Sequence, residues 1–174
     1  VNIIEIDLAE PTPSFRVTPR APGTPPLSGG IPAETHLQTT RSFLAQQNGQ
    51  LAINASFYGG TYASPWTNNL GLAVSDGDIY SVWENAQEPI FRNGLNITQA
   101  NVARVVARHG IQAQGYETSP TVPLYNAVAG SHRLLQNGVV DPNGNFSVGG
   151  LNGLNPRTAV GVTNNLDSNG KKLL

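Results

Sequence analysis

The opening residues alternate, with Ile4, Ile6 and Leu8 on one side and Glu5 and Asp7 on the other, a period of two that predicts a strand over 1–8. Between Pro11 and Pro32, seven prolines with intervening Gly and Ser remove backbone donors and forbid a long helix, so a strand fragment and an ordered loop are expected there. Thr35 followed by Gln38 reads as a capping box. Leu37, Phe43 and Leu44 then share a face until Asn48 and Gly49 end the segment, which predicts a helix over 35–48. Leu51, Ala52 and Ile53 make a short apolar strand running into a loop over 54–60, where Gly59 and Gly60 release the backbone from its steric limits. Asp76-Gly77, the dipeptide of a type I′ turn, sits between two apolar runs and predicts a hairpin over 70–83.

The stretch 97–109 fits a helix capped by Asn96 and Gln99, and its Val102, Val105 and Val106 suit a strand nearly as well. Strands are expected at 125–128 and 133–136, around Gly130, Ser131 and His132, with Asn137-Gly138 turning into Val139 and Val140. A strand over 158–163, a turn over 164–170 and the opening of a return strand at Lys171 complete the chain. A strand that has only begun leaves unpaired backbone groups at a sheet edge. The pattern as a whole predicts a mixed, largely antiparallel sheet with one or two helices, incomplete at its C-terminus.

The 174 residues, 39% of them hydrophobic, suffice for one domain with a core, expected to span 1–174. Charged residues make up only 12% and the net charge is -1, which provides no general field for nucleic acid or an anionic membrane. The chain has no run of 18 or more apolar residues, so no membrane span is expected. A surface rich in Asn, Gln, Ser, Thr, Gly and Pro fits a secreted, periplasmic or cell-envelope protein whose signal peptide has been removed. The chain has no cysteine, which excludes disulfides, thiolate metal sites and a cysteine nucleophile. His36, His109 and His132 stand too far apart for a local metal motif, so neither a metal nor a cofactor is expected.

Asn155-Pro156-Arg157-Thr158 is the most suggestive cluster. An Arg that follows a proline in a loop presents a fork of donors matching phosphate or carboxylate oxygens two at a time, although a solvated Arg in an ordinary turn is the commoner case. Asn54 combines donor and acceptor in one amide and suits a substrate hydroxyl; alternatively it forms a turn before a glycine-rich loop. His132 suits proton donation to an anionic leaving group, against a structural role. His36 is placed in the first helical turn. Phe57, Tyr58, Tyr62 and Trp66 suit sugar stacking or a core. Asn54, Asn96 and Asn145 open glycosylation triplets of little weight. The carboxylates Glu5, Asp7, Asp76 and Asp78 read as strand-face and turn residues, and no complete acid/base pair is displayed.

Four blocks taken together resemble the phosphodiester glycosidase family, that of N-acetylglucosamine-1-phosphodiester α-N-acetylglucosaminidase, the uncovering enzyme. They are Ala52-Ile53-Asn54-Ala55-Ser56-Phe57-Tyr58-Gly59-Gly60, Gly71-Leu72-Ala73-Val74-Ser75-Asp76-Gly77, Ala127-Val128-Ala129-Gly130 with Leu134-Leu135-Gln136-Asn137-Gly138, and Asn155-Pro156-Arg157-Thr158-Ala159-Val160-Gly161-Val162. The resemblance implies hydrolysis of a sugar-1-phosphodiester, on envelope or exopolysaccharide glycans. It implies an α+β domain with Asn54, Arg157 and Thr158 in the active-site cleft, read here as catalytic, and Gly130 with its neighbours lining it; Phe57, Tyr58 and Gly59 are added as substrate-binding candidates from their aromatic, glycine-rich loop, and His132 from its own chemistry. The family continues into a return strand ending near Asp-Gly-Arg and then an Asp-Gly-Gly-Gly-Ser loop, expected to supply a carboxylate and a nest of phosphate-binding amides. Both lie past Leu174, so these residues are expected to form the N-terminal part of a larger domain, inactive alone. The alternatives are a non-catalytic carbohydrate-binding or envelope-structural module, and one half of a split protein whose sheet a second polypeptide completes.

Overall fold

The computed structural model describes residues 2–10, 13–21, 23, 33–59, 65–83, 91–107, 123–140 and 156–163. Gly60, Tyr62, His109, Asp141, Asn145, Asp167 and the expected turn and return strand over 164–174 lie outside them.

A five-stranded sheet dominates. It is built from β4 (Ala73–Ser75), β5 (Asp78–Ser81), β6 (Asn93–Ile97), β7 (Ala103–Ala107) and β8 (Asn126–Gly130), in the order β5-β4-β8-β6-β7. A second sheet sets β3 (Trp66–Leu70) between β1 (Thr35–His36) and β2 (Phe57–Gly59), and β9 (Leu135–Gln136) pairs with β10 (Val139–Val140). Every strand pair among the described residues is antiparallel, so the expected mixed character is not seen. One short helix, α1 (Thr40–Gln46), makes the architecture α+β with β predominating.

The hairpin turns form where their dipeptides announce them: Asp76 and Gly77 take φ of 47° and 85°, and Asn137 and Gly138 take 53° and 77°, the left-handed pairs a type I′ turn requires. The ambiguous stretch resolves as a hairpin, β6 and β7 with its turn at Thr98 and Asn101, because Val105 pairs with Leu95 and Val106 with Gly94. Asn96 therefore lies inside a strand and caps no helix. It is fully buried, which removes its glycosylation triplet from the surface.

Other expectations are corrected. Thr35 is drawn into β1 opposite Thr67, so the helix starts later, with Thr39 as N-cap accepting a bond from the Ser42 N–H. His36 consequently sits on a strand, its ring edge-on to Trp66 at 4.9 Å. The end of the helix is as expected: Asn48, at φ 50°, and Gly49 return their N–H groups to Ala45 and Leu44, closing a Schellman motif. Residues 51–55 are loop, with Leu51 and Ile53 half exposed, and the strand begins only at Phe57, where β3 offers a partner. Gly59 lies in that strand with φ outside the left-handed region, and a Cβ there would meet only ordinary contacts. Residues 2–6 and 156–163 carry no strand, and Asp7 makes only an isolated bridge.

Both faces of the large sheet are covered. Register places Leu72, Val74, Ala127, Ala129 and Val106 in one core with Trp83, and Ile97 and Ala103 in another with Leu8, joined by Ile6, Phe15, Leu95 and Val162. Asn96 lies on the Ala127 face, donating from Nδ2 to the Pro123 carbonyl (3.0 Å) and accepting from the Tyr125 N–H (3.1 Å). Asn96→Ala is expected to cost about 2 kcal/mol, since two backbone groups lose their partner at once. A urea midpoint within error of wild type would refute this.

The proline-rich segment Pro13 to Ala21 crosses one end of this sheet. Poor in donors, it is gripped through its carbonyls: Asn101 reaches Pro13, Asn126 reaches Phe15, Ser75 reaches Val17 and Tyr80 reaches Thr18. Arg16 pairs with Asp76 at 3.3 Å and Arg20 forms a two-pronged bond with Asp78 at 2.9 Å, which gives the two turn carboxylates structural duties. Burial, helped by Glu34 and Asp78 and partly offset by Arg20, pushes the Tyr80 phenol above its ordinary range, so it stays a neutral donor.

Candidate active site

Asn54 and Thr158 stand 104 residues apart in the chain and meet in space, the Thr158 hydroxyl donating to Asn54 Oδ1 at 2.7 Å. Both are exposed, as is Arg157 next to Thr158. The bond fixes Oδ1 as the acceptor end of the Asn54 amide and Nδ2 as its donor end, and the neighbouring Arg157 carries a guanidinium fork. The pair joins the loop before β2 to the extended segment 156–163, which Val162 anchors against the second core. Two of the blocks singled out in the sequence thus form one surface.

The remaining candidates gather where that loop enters β2. Phe57 and Tyr58 are half exposed, at 53% and 44%. The Phe57 ring lies 5.3 Å from that of Phe91, tilted by 57°. Phe91, just ahead of β6, donates its N–H to the Ser131 carbonyl at 3.2 Å, and Gly130 pairs with Asn93. His132, half-buried, follows in the same turn. Phe57 thus connects through Phe91 to the turn that holds Gly130 and His132, whereas Tyr58, the next residue of β2, points to the opposite face. Gly59, at the far end of β2, faces inward instead, its carbonyl accepting from the Thr67 hydroxyl at 2.6 Å.

Strand directions explain the convergence. The start of β4, the start of β6 and the end of β8 lie at one end of the sheet, with Phe57 opposite Leu70 beside them. The Pro13 to Ala21 segment crosses the other end. A cavity of about 460 Å³, lined by Thr98, Val102, Arg104, Leu124 and Tyr125 among others, also lies at that other end. Its lining is largely apolar and includes none of the candidate residues.

Two residues at the candidate end had no signal in the sequence. Gly71, at φ 88°, is overlain by Phe91 and Ala129. Phe91 itself adopts φ 59°, a conformation no pattern of residue types forecasts for an aromatic side chain. Among the described residues no group of three or more His, Cys, Asp or Glu side chains is arranged to hold a metal ion, and no helix is long and apolar enough to cross a membrane.

Neither the curated proteins nor the solved structures contain a match to the chain. A family model described as phosphodiester glycosidase matches residues 47–173, a span that takes in Asn54, Phe57, the β4–β5 hairpin, the turn after β8 and the Arg157–Thr158 segment. Covering well over half of the sequence, that match shows that the chain belongs to the phosphodiester glycosidase family.

Proposed function

We propose that this surface binds and hydrolyses a sugar-1-phosphodiester, breaking the bond between the anomeric carbon and the phosphate oxygen. Water adds to the sugar, and the phosphate departs as a monoester. A phosphodiester is a better leaving group than a sugar alkoxide, so the demand for a strong general acid falls and holding phosphate charge becomes the larger task. The Arg157 fork meets that task, the Asn54 amide directs its Nδ2 donors to a sugar hydroxyl, and the Thr158 hydroxyl fixes the rotamer of that amide. Phe57 offers an apolar face to the pyranose, Tyr58 flanks it from the other side of β2, and Gly130 and His132 line the far side. The observation that carries this reading is the 2.7 Å bond joining Thr158 to Asn54 across the length of the chain.

The sparse charge fits an envelope or extracellular setting, with exopolysaccharide or envelope glycans as the source of substrate. The decisive test is sugar release by the full-length protein from the methyl phosphodiesters of α-glucose, α-galactose and α-N-acetylglucosamine 1-phosphate. Asn54→Ala should lower kcat/KM about tenfold, the worth of one hydrogen bond of roughly 1.4 kcal/mol. A wild-type protein that releases sugar from none of the three, yet binds them, would instead favour a carbohydrate-binding module built on the exposed rings of Phe57 and Tyr58.

A further inference from the structure

Positive φ among the described non-glycine residues occurs at Asn48, Asp76, Asn101, Asn137 and Phe91. The first four are Asn or Asp, whose short polar side chains tolerate the left-handed region. Phenylalanine has no such means, and a bulky residue persists there only where its surroundings over-determine it. For Phe91 they do so through three separate stretches of chain. Its N–H is held by the Ser131 carbonyl in the turn after β8. Its ring leans on Phe57 at the start of β2. Its Cβ and carbonyl close over Gly71, at the corner between β3 and β4, so tightly that a Cβ on Gly71 would lie 3.2 and 3.3 Å from them.

Phe91 is itself buried, at 8% exposure, whereas its partner Phe57 is 53% exposed. The two rings thus form a platform with one inner and one outer member. In the right-handed or extended region, the chain entering β6 would turn the Phe91 ring away from Phe57 or its N–H away from Ser131. The left-handed φ allows both contacts together.

Resting on the sugar-1-phosphodiester reading above, we propose that Phe91 is a positioning residue that sets the outer ring of Phe57 as the stacking surface for the substrate's pyranose and holds it in register with the Gly130 to His132 turn. The sugar touches Phe57; Phe91 acts through it. Specificity for the apolar face of the pyranose is then determined jointly by a β2 residue and a residue that never meets the substrate.

The test has two arms, both on the full-length protein. In the first, NMR follows the Phe57 ring protons in Phe91→Leu and the Gly130 and Ser131 amides in both Phe91→Leu and Phe57→Leu. Phe57→Leu changes a surface ring and keeps the fold if Phe91→Leu does not. Phe57→Leu is expected to shift the Ser131 amide through Phe91, which touches both, and Phe91→Leu to average the Phe57 ring signals. A Phe57→Leu perturbation that stops at Phe91 overturns the proposal. In the second arm, Phe91→Leu should raise KM for the best of the three methyl phosphodiesters about tenfold with kcat changed less than about threefold. Adding Phe57→Leu to it should cost little more, as coupled residues are non-additive. Fully multiplicative effects, or a lowered Tm with KM unchanged, overturn it as well. If the wild-type protein cleaves none of the substrates, the activity reading has failed on its own, and the NMR arm still decides whether Phe91 positions Phe57.

Discussion

Arg157→Lys, made in the full-length protein, should lower turnover of a sugar-1-phosphodiester about a hundredfold, near the lower end of what losing one well-aimed donor to developing charge costs. Lysine keeps the charge and loses the fork, so a phosphate that was gripped by two parallel N–H donors is left with a mobile point charge. Arg157 is exposed, and the change should leave the melting temperature where it is. The two measurements belong together: a large loss of kcat/KM at constant Tm assigns the effect to substrate, whereas unchanged turnover removes the phosphate clamp and leaves Arg157 a solubility residue. Thr158→Val is the companion variant, because it leaves the guanidinium in place and releases only the Asn54 amide.

The largest effect on stability is expected at Gly71. Its φ of 88° costs any L side chain about 1–2 kcal/mol, and a Cβ there would stand 2.6 Å from the Ala129 Cβ, a collision that adds about 1–3 kcal/mol in a closed core. Gly71→Ala should therefore lose about 3 kcal/mol, or about 10 °C in Tm for a domain of this size. Gly138 offers the matched control, since its φ of 77° is similarly left-handed and a Cβ there would meet nothing within 4 Å. Gly138→Ala should show the backbone cost alone. Adding Ala129→Gly to Gly71→Ala should recover part of the packing cost. Equal losses at the two glycines, or no recovery in the double variant, would show that the β3–β4 corner yields more readily than its contacts indicate.

The candidate site was legible in part. The Ile-Asn-Ala and Pro-Arg-Thr blocks could be singled out because Asn and Arg carry donor patterns that suit a phosphorylated sugar, and their resemblance to a family linked two blocks far apart in sequence. The role of Gly71 and Phe91 was not legible. A glycine in an apolar run and a phenylalanine after Pro89-Ile90 look ordinary until the chain is folded, since strain and close approach are properties of a neighbourhood and not of a residue type. Asn96 is the reverse case. Its triplet and its capping position both spoke for the surface, and burial between β8 and β7 turned it into the anchor of Pro123 and Tyr125.

What the amino-acid sequence determined by itself is what short range can decide. The left-handed pairs Asp76-Gly77 and Asn137-Gly138 set their turns, the Asn48-Gly49 end set the close of the helix, and the prolines from Pro13 onward kept that segment from forming a long helix. Tertiary structure decided everything that needs a partner. Thr35 became a strand because Thr67 stood ready to bond it, the apolar runs around Ile53 and Val160 stayed irregular in spite of their pattern, and Asn54 found Thr158 only when strand order brought the two segments alongside. Local φ preferences act within a few residues, whereas a β-ladder or a site hydrogen bond exists only after distant chain has been brought to within 3 Å or so, and no local pattern records which distant chain that will be.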